Sequence, residues 1–379
     1  MVKENEYPYN LPCEHVRFSG KDAVKLDCGM VLDDYNVSYK TYGKLNADKS
    51  NAIMIFHALT GDQFVAGKHP VTGKDGWWSR LVGKGKPVDT DKYFVICANI
   101  LGSCMGTEGP KSINAKTGKR WNLSFPVITI ADMIEVQIKL LNHLKIEKLH
   151  SIIGPSMGGM LAMYFASKYG DRTDNVIIVA SSPQLSPRNI GFSEVARQSI
   201  MSDPNWHGGE YLEKGTVPDR GLATARMAAH ITYLSESAMY KKFGRDLQNK
   251  EQLGYSFIES DFQVENYLKH QGASFVKRFD ANSYLYITRA MDYFDTDKTA
   301  KSGLLSDAFK DTKNRWCIIS ISSDWLHPTK NSKKLMHALN GVGADVSFAE
   351  LQSDAGHDAF LLDEPDFNAM IDGFLNGVK

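Results

Sequence analysis

Leu149-His150-Ser151-Ile152-Ile153-Gly154-Pro155-Ser156-Met157-Gly158-Gly159-Met160 runs from an apolar segment through a glycine-flanked serine into a stretch of small residues. Leu149 to Ile153 has the character of a buried strand, and Gly154-x-Ser156-x-Gly158 is the pattern of a nucleophile elbow. In such a turn the serine sits where strand gives way to helix, and the glycines let neighbouring backbone pass close by. The first amides of the helix then point at whatever the hydroxyl attacks. Gly158, Gly159, Ala162 and Ala166 recur at roughly helical spacing, which predicts a helix that packs tightly on a sheet and stops near Gly170. Five residues of this kind also arise by chance, so the role of Ser156 depends on partners elsewhere in the chain.

Composition narrows the class. The chain has 379 residues, long enough for two domains or for one domain with an insertion. Lys plus Arg and Asp plus Glu both number 44, and this zero balance argues against a nucleic-acid partner. No apolar run approaches the ~18 residues of a membrane span. Met1-Val2-Lys3-Glu4-Asn5-Glu6 has no apolar core behind its lysine and does not read as a signal peptide. The five cysteines (Cys13, Cys28, Cys97, Cys104, Cys317) are odd in number and scattered, as expected of reduced thiols in a cytoplasmic protein.

Strand-like pieces near Val16–Phe18, Val24–Leu26 and Val37–Thr41 predict a leading antiparallel ribbon. Asn51–Phe56, Tyr93–Ala98 and Asn175–Ala180 are short buried-type strands. Ile134, Ile138, Leu141 and Leu144 mark the face of a crossover helix between them. Residues 67–91 read as a long loop over the sheet edge. The alternation of strand and helix implies a parallel, doubly wound sheet. From about Ser186 to Ala300 the pattern turns helical and aromatic, which predicts an inserted cap over the active edge. Arg226, His230 and Tyr233 fall on one face of a helix there, and that polar stripe suits either a pocket wall or a solvated face.

Trp316–Ile321 resumes the sheet, with Asp324 just beyond it, and Asp345–Leu351 ends it, with His357 in the following loop. Asp324 is placed to orient a histidine, although a turn or cap aspartate would look the same. Ser156, Asp324 and His357 follow the chain order of the α/β-hydrolases and of neither unrelated serine-protease fold. In that fold a second oxyanion amide comes from a loop after an early strand. His57-Ala58-Leu59-Thr60 occupies that place, so the Leu59 N–H is assigned beside that of Met157; a plain turn with His57 as a core histidine is the alternative. Cys104, in the glycine-rich loop Asn99–Pro110, lacks a neighbouring base and reads as a loop thiol. No metal-binding spacing competes with the triad.

With these residues in place the chain resembles the homoserine O-acetyltransferases, over nearly its whole length. The likeness rests on HALTGD (57–62), GWW (76–78), GPSMGGM (154–160), SDPNW (202–206) and GLATARMAAHITYLS (221–235). RFDANSYLYIT (278–288), SSDW (322–325) and GHDAFL (356–361) extend it. It implies an α/β-hydrolase fold with a mostly parallel sheet: core residues 1–185, a helical lid at 186–300, and core residues 301–379. It further implies a homodimer through the lid, no permanent cofactor, and acetyl-CoA and L-homoserine as substrates. By the same likeness Arg226 and Asp358 bind homoserine, and Tyr233 is a secondary pocket residue. Pro155 and Glu108 depart from the family's usual residues. Asp62 and Glu108, placed near the donor end, are expected to disfavour succinyl-CoA, the first rival donor; an esterase with the same triad is the second rival.

Overall fold

The computed structural model describes residues 11–300 and 302–377; the N-terminal stretch Met1–Glu6 lies outside them. The strands are β1 (Glu14–Lys25), β2 (Val31–Tyr42), β3 (Ala52–Ile55), β4 (Val82–Gly83), β5 (Val88–Asp89), β6 (Phe94–Ala98), β7 (Leu149–Pro155), β8 (Thr173–Val179), β9 (Arg315–Ile321) and β10 (Asp345–Leu351). The helices are α1 (Ile130–His143), α2 (Met157–Tyr169), α3 (Pro187–Met201), α4 (Asp219–Tyr233), α5 (Glu236–Phe243), α6 (Gln263–Phe275), α7 (Ala281–Tyr293), α8 (Thr329–Gly341) and α9 (Pro365–Asn376).

Eight strands form one sheet in the order β1-β2-β6-β3-β7-β8-β9-β10. β6, β3, β7, β8, β9 and β10 are mutually parallel, and β2 joins β6 antiparallel. The leading ribbon is a single long hairpin, β1 with β2, with an irregularity between Ser19 and Val24. That break makes one strand look like two in the sequence.

The parallel strands are buried on both faces, so their side chains divide by parity. Met54, Ile96, Ile152, Val176 and Ile178 join one apolar cluster with α1, α2 and α8. Ile53, Ile55, Val95, Cys97, Ile153, Ile177 and Val179 join the other, with Phe367 and Ile371 of α9. Residues 67–91 do more than cross an edge. Trp78, Leu81, Val82 and Val88 are fully buried in the second cluster, and the Trp78 indole N–H donates to the Phe360 carbonyl (2.8 Å).

Between β8 and β9 the described chain is helical, α3 to α7. α7 is not peripheral: Tyr284, Leu285, Ile287 and Ala290 belong to the main core cluster. Aromatic residues dense enough to cover a site are also dense enough to bury a helix. The end of α4 rests directly on the loops after β9 and β10. Gly356, at φ +78°, has no room for a Cβ because the Tyr233–Ser235 backbone lies against it. The Trp325 indole donates to the Leu234 carbonyl (3.0 Å).

Candidate active site

Ser156 sits between the last residue of β7 and the first of α2, at φ 54° and ψ −122°. For a residue with a Cβ this is a strained conformation, held by its surroundings. The Ser156 N–H donates to Val179 O (2.9 Å), and β7 and β8 pair in register from Leu149 to Pro155. The missing amide of Pro155 is therefore not the one this ladder uses at its end. A Cβ on Gly154 would overlap the Gly158 carbonyl, and one on Gly159 the Ser181 side chain. The small residues thus bring helix and strands together at the turn. α2 ends at Tyr169 as expected, although Gly170 keeps a right-handed φ of −56°.

The structure brings the three predicted residues together. His357 Nε2 lies 2.8 Å from Ser156 Oγ, and its Nδ1 lies 2.7 Å from Asp324 Oδ2. All three are buried. With Asp324 accepting the Nδ1 proton, Nε2 is free to accept from the serine hydroxyl. Asp324 Oδ1 accepts the Leu326 and His327 amides (2.9 and 2.8 Å), so it is held by its turn as well as by His357. Burial works against the Asp324 charge, but His357 and these donors hold its carboxyl below the usual range. Burial also opposes a charged His357; the charge of Asp324 and its hydrogen bond outweigh that and raise the imidazole, with Asp358 adding to them.

Met157 opens α2, where the first-turn amides have no intrahelical acceptor. Leu59 lines the same small cavity as Ser156. His57 is a satisfied core histidine after all: Nε2 accepts the Ile100 amide (3.2 Å) and Nδ1 pairs with Ala58 O (2.8 Å). These bonds fix the backbone that presents Leu59.

The polar face of α4 divides. Arg226 donates to Thr60 Oγ1 (3.3 Å), and its guanidinium stacks 5.6 Å from the Tyr233 ring. Tyr233 reaches the site, its ring 5.8 Å from that of His357. His230 turns instead to α6, pairing with the Tyr267 hydroxyl (3.1 Å). Asp358 is half-buried; burial raises its carboxyl, while the charges of His357 and Arg226 act in the opposite direction. Among the described residues no ion pair joins Asp358 to Arg226, which leaves the two opposite charges available to a ligand.

One expectation is corrected. Glu108 lies away from this site: its carboxylate accepts from the Trp121 indole (2.7 Å) and the Asn36 amide (3.3 Å) beside β2. Asp62 is buried and spent on His69 Nε2 (2.9 Å) and the Phe64 amide (2.9 Å). Glu108 therefore plays no part in choosing the acyl group, whereas Asp62 lines a groove with Arg226 and Arg278 while its carboxylate is engaged by His69. Cys104 is buried, and burial pushes its thiol up to about 12, which removes it as a nucleophile. His327 was not anticipated: it is buried against His357 (ring centroids 5.2 Å apart) and paired with Ser182 Oγ (2.8 Å).

Fold and site together define an enzyme of the α/β-hydrolase fold, and residues 51–364 match the model of that family. Homoserine O-acetyltransferase of Rhodospirillum rubrum is 58% identical over 354 residues, 93% of this chain and 90% of that protein. The Caulobacter vibrioides enzyme of the same name is 56% identical over 360 residues, 95% and 94% of the two chains. Among solved structures, homoserine O-acetyltransferase from Bacillus anthracis superposes with a TM-score of 0.87 at 29% identity, covering 96% and 97%. Esterase E22 superposes with a TM-score of 0.85 at 29% identity, covering 96% and 100%. The chain belongs to the homoserine O-acetyltransferase family of this fold.

Proposed function

We propose that this protein transfers an acetyl group from acetyl-CoA to the hydroxyl of L-homoserine, a step of methionine biosynthesis, through an acyl-Ser156 intermediate. Ser156 Oγ attacks the thioester carbonyl as its proton passes to His357 Nε2. The Leu59 and Met157 amides hold the oxyanion, a contact worth about 3–4 kcal/mol in the transition state. The thioester C–S bond breaks and the coenzyme A sulfur leaves with the proton from His357. The homoserine hydroxyl then loses its proton to His357 and attacks the acetyl ester, and Ser156 regains a proton as it leaves. Asp324 holds the imidazole tautomer and stabilises its charged form. Arg226 and Asp358 hold the acceptor's carboxylate and ammonium, which favours the alcohol over water through effective molarity.

The observation that carries this reading is the 2.8 Å contact of His357 Nε2 with Ser156 Oγ, next to Asp358 and Arg226, whose charges act on one another but which form no ion pair among the described residues. Acetyl rather than succinyl is supported by the cavity at Ser156. It measures about 70 Å³, and its lining mixes apolar Leu59, Ala196 and Met291 with polar Asn189, Thr232 and Tyr233 but holds no lysine or arginine to receive a second carboxylate. The likeness to esterase E22 keeps hydrolysis as the second reading; the opposed charges suited to an amino acid favour transfer.

The helical stretch 186–300 serves as the lid on the core formed by the described residues on either side of it, and it carries the surface for a homodimer. Tyr240, Tyr255, Phe257 and Ile258 support this, standing fully or largely exposed on that stretch. Five free thiols are in keeping with a cytoplasmic setting. The test is coenzyme A release from acetyl-CoA and succinyl-CoA, with and without homoserine. Turnover with acetyl-CoA that depends on homoserine is the expected result; equal turnover without it would make the protein a thioesterase.

A further inference from the structure

Arg278, between α6 and α7, donates to the Thr60 carbonyl (2.9 Å) on the turn whose hydroxyl Arg226 also binds. Both guanidiniums lie over the Phe275 ring, at 4.8 Å for Arg226 and 5.5 Å for Arg278. Both line one groove of about 270 Å³ with Thr60, Asp62, Lys74, Trp77 and Asp75, whose carboxylate pairs with Lys68. Among the described residues neither guanidinium forms an ion pair. Asp62, the acid whose charge reaches Arg278, is bonded to His69 and the Phe64 amide. Two like charges held over one ring beside a shared groove repel each other, and an anion seated in the groove would relieve that repulsion. Burial and the charge of Arg226 lower the Arg278 pKa, while the charge of Asp62 acts in the opposite direction.

We infer that Arg278 is a second anion-binding residue, which with Arg226 forms a two-guanidinium seat for an oxyanion of a substrate. This rests on the acetyl-transfer reading and extends it. The oxyanion is either the carboxylate of the acceptor amino acid or a phosphate of the acyl donor. Planar guanidiniums suit both.

Arg278→Gln keeps an N–H for Thr60 O while removing the charge, and Arg278→Lys keeps a charge without the fork. Steady-state kinetics of both would be compared with the unsubstituted protein, using four substrates. These are L-homoserine, 3-aminopropan-1-ol (no carboxylate), acetyl-CoA, and S-acetyl-N-acetylcysteamine (no phosphate). If the seat holds the acceptor carboxylate, Arg278→Gln raises the homoserine KM about 10-fold or more and leaves that of 3-aminopropan-1-ol unchanged. If it holds a donor phosphate, the acetyl-CoA KM rises and that of the cysteamine thioester does not. Partial recovery in Arg278→Lys supports either arm. An equal loss with charged and uncharged substrates, at an unchanged melting temperature, would show Arg278 to be a brace for the Thr60 turn and overturn the inference. Absence of homoserine-dependent turnover in the unsubstituted protein would instead overturn the underlying function, so the two failures are distinct.

Discussion

A methyl group on Gly158 would overlap the backbone carbonyl of Phe56. Phe56 directly precedes the turn that carries Leu59, and Gly158 is the second residue of the helix that Met157 opens. One close backbone approach therefore sets the spacing of the two amides assigned to the oxyanion. Gly158→Ala is expected to destabilise the fold by about 1–3 kcal/mol through overpacking. It should also reduce the rate of Ser156 acylation, because the two donors are driven apart. Urea unfolding and the burst rate of coenzyme A release measure the two effects. A stable variant with an unchanged burst would show that the approach does not set the donor spacing.

Ser156→Ala removes one hydroxyl from the elbow and is expected to abolish acyl-enzyme formation with little change in melting temperature. Serine and alanine both carry a Cβ at φ 54°, so the backbone strain of the turn is unchanged by the substitution. Mass spectrometry of protein mixed with acetyl-CoA is the direct check. A retained 42 Da adduct, the ~42 Da of an acetyl group, that survives the substitution would remove Ser156 as nucleophile.

Much of this was legible in the chain because it depends on local pattern. Buried parallel strands are continuous apolar runs, and Asp345–Leu351 was read with the bounds that the structure shows. The elbow announces itself because close backbone approach demands glycine. What the sequence hid depends on tertiary neighbours. Glu108 lies in a glycine-rich loop at a strand's carboxyl end, yet its carboxylate turns back to Trp121 and Asn36. His230 shares a helix face with Arg226 and Tyr233, but α6 packs on that edge and takes it. α7 has the composition of a cover and the burial of a core helix. No helical period tells which neighbour will claim a polar side chain.

Arg226→Ala is expected to raise the homoserine KM by about 10- to 150-fold, the range of one lost charge-assisted contact. Acetylation of Ser156 in the absence of homoserine should stay within a few-fold of the unsubstituted rate. The Thr60 hydroxyl would lose one partner, but Arg278 still holds the neighbouring carbonyl. Stopped-flow measurement of the two half-reactions separates these outcomes. Equal slowing of both would make Arg226 a brace of the oxyanion turn.

Asp358 separates transfer from hydrolysis. It follows His357 directly, adds to the charges that raise the imidazole, and feels the charge of Arg226. Asp324 already occupies His357 Nδ1, so a second carboxylate is not needed to set the tautomer. In Asp358→Asn the imidazolium loses a neighbouring negative charge, so its pKa falls. His357 must be neutral to act as base, and the acid limb of the acetylation rate should therefore move to lower pH. Without a carboxylate for the acceptor's ammonium, transfer should fall about 10- to 150-fold. The stranded acetyl-enzyme would then decay mainly to acetate. A single-turnover experiment across pH, following acetyl-Ser156 formation and its decay with and without homoserine, reads all three effects. Acetylation slowed as much as transfer, with the acid limb unmoved, would place Asp358 in the structural support of the loop and leave the ammonium to another group.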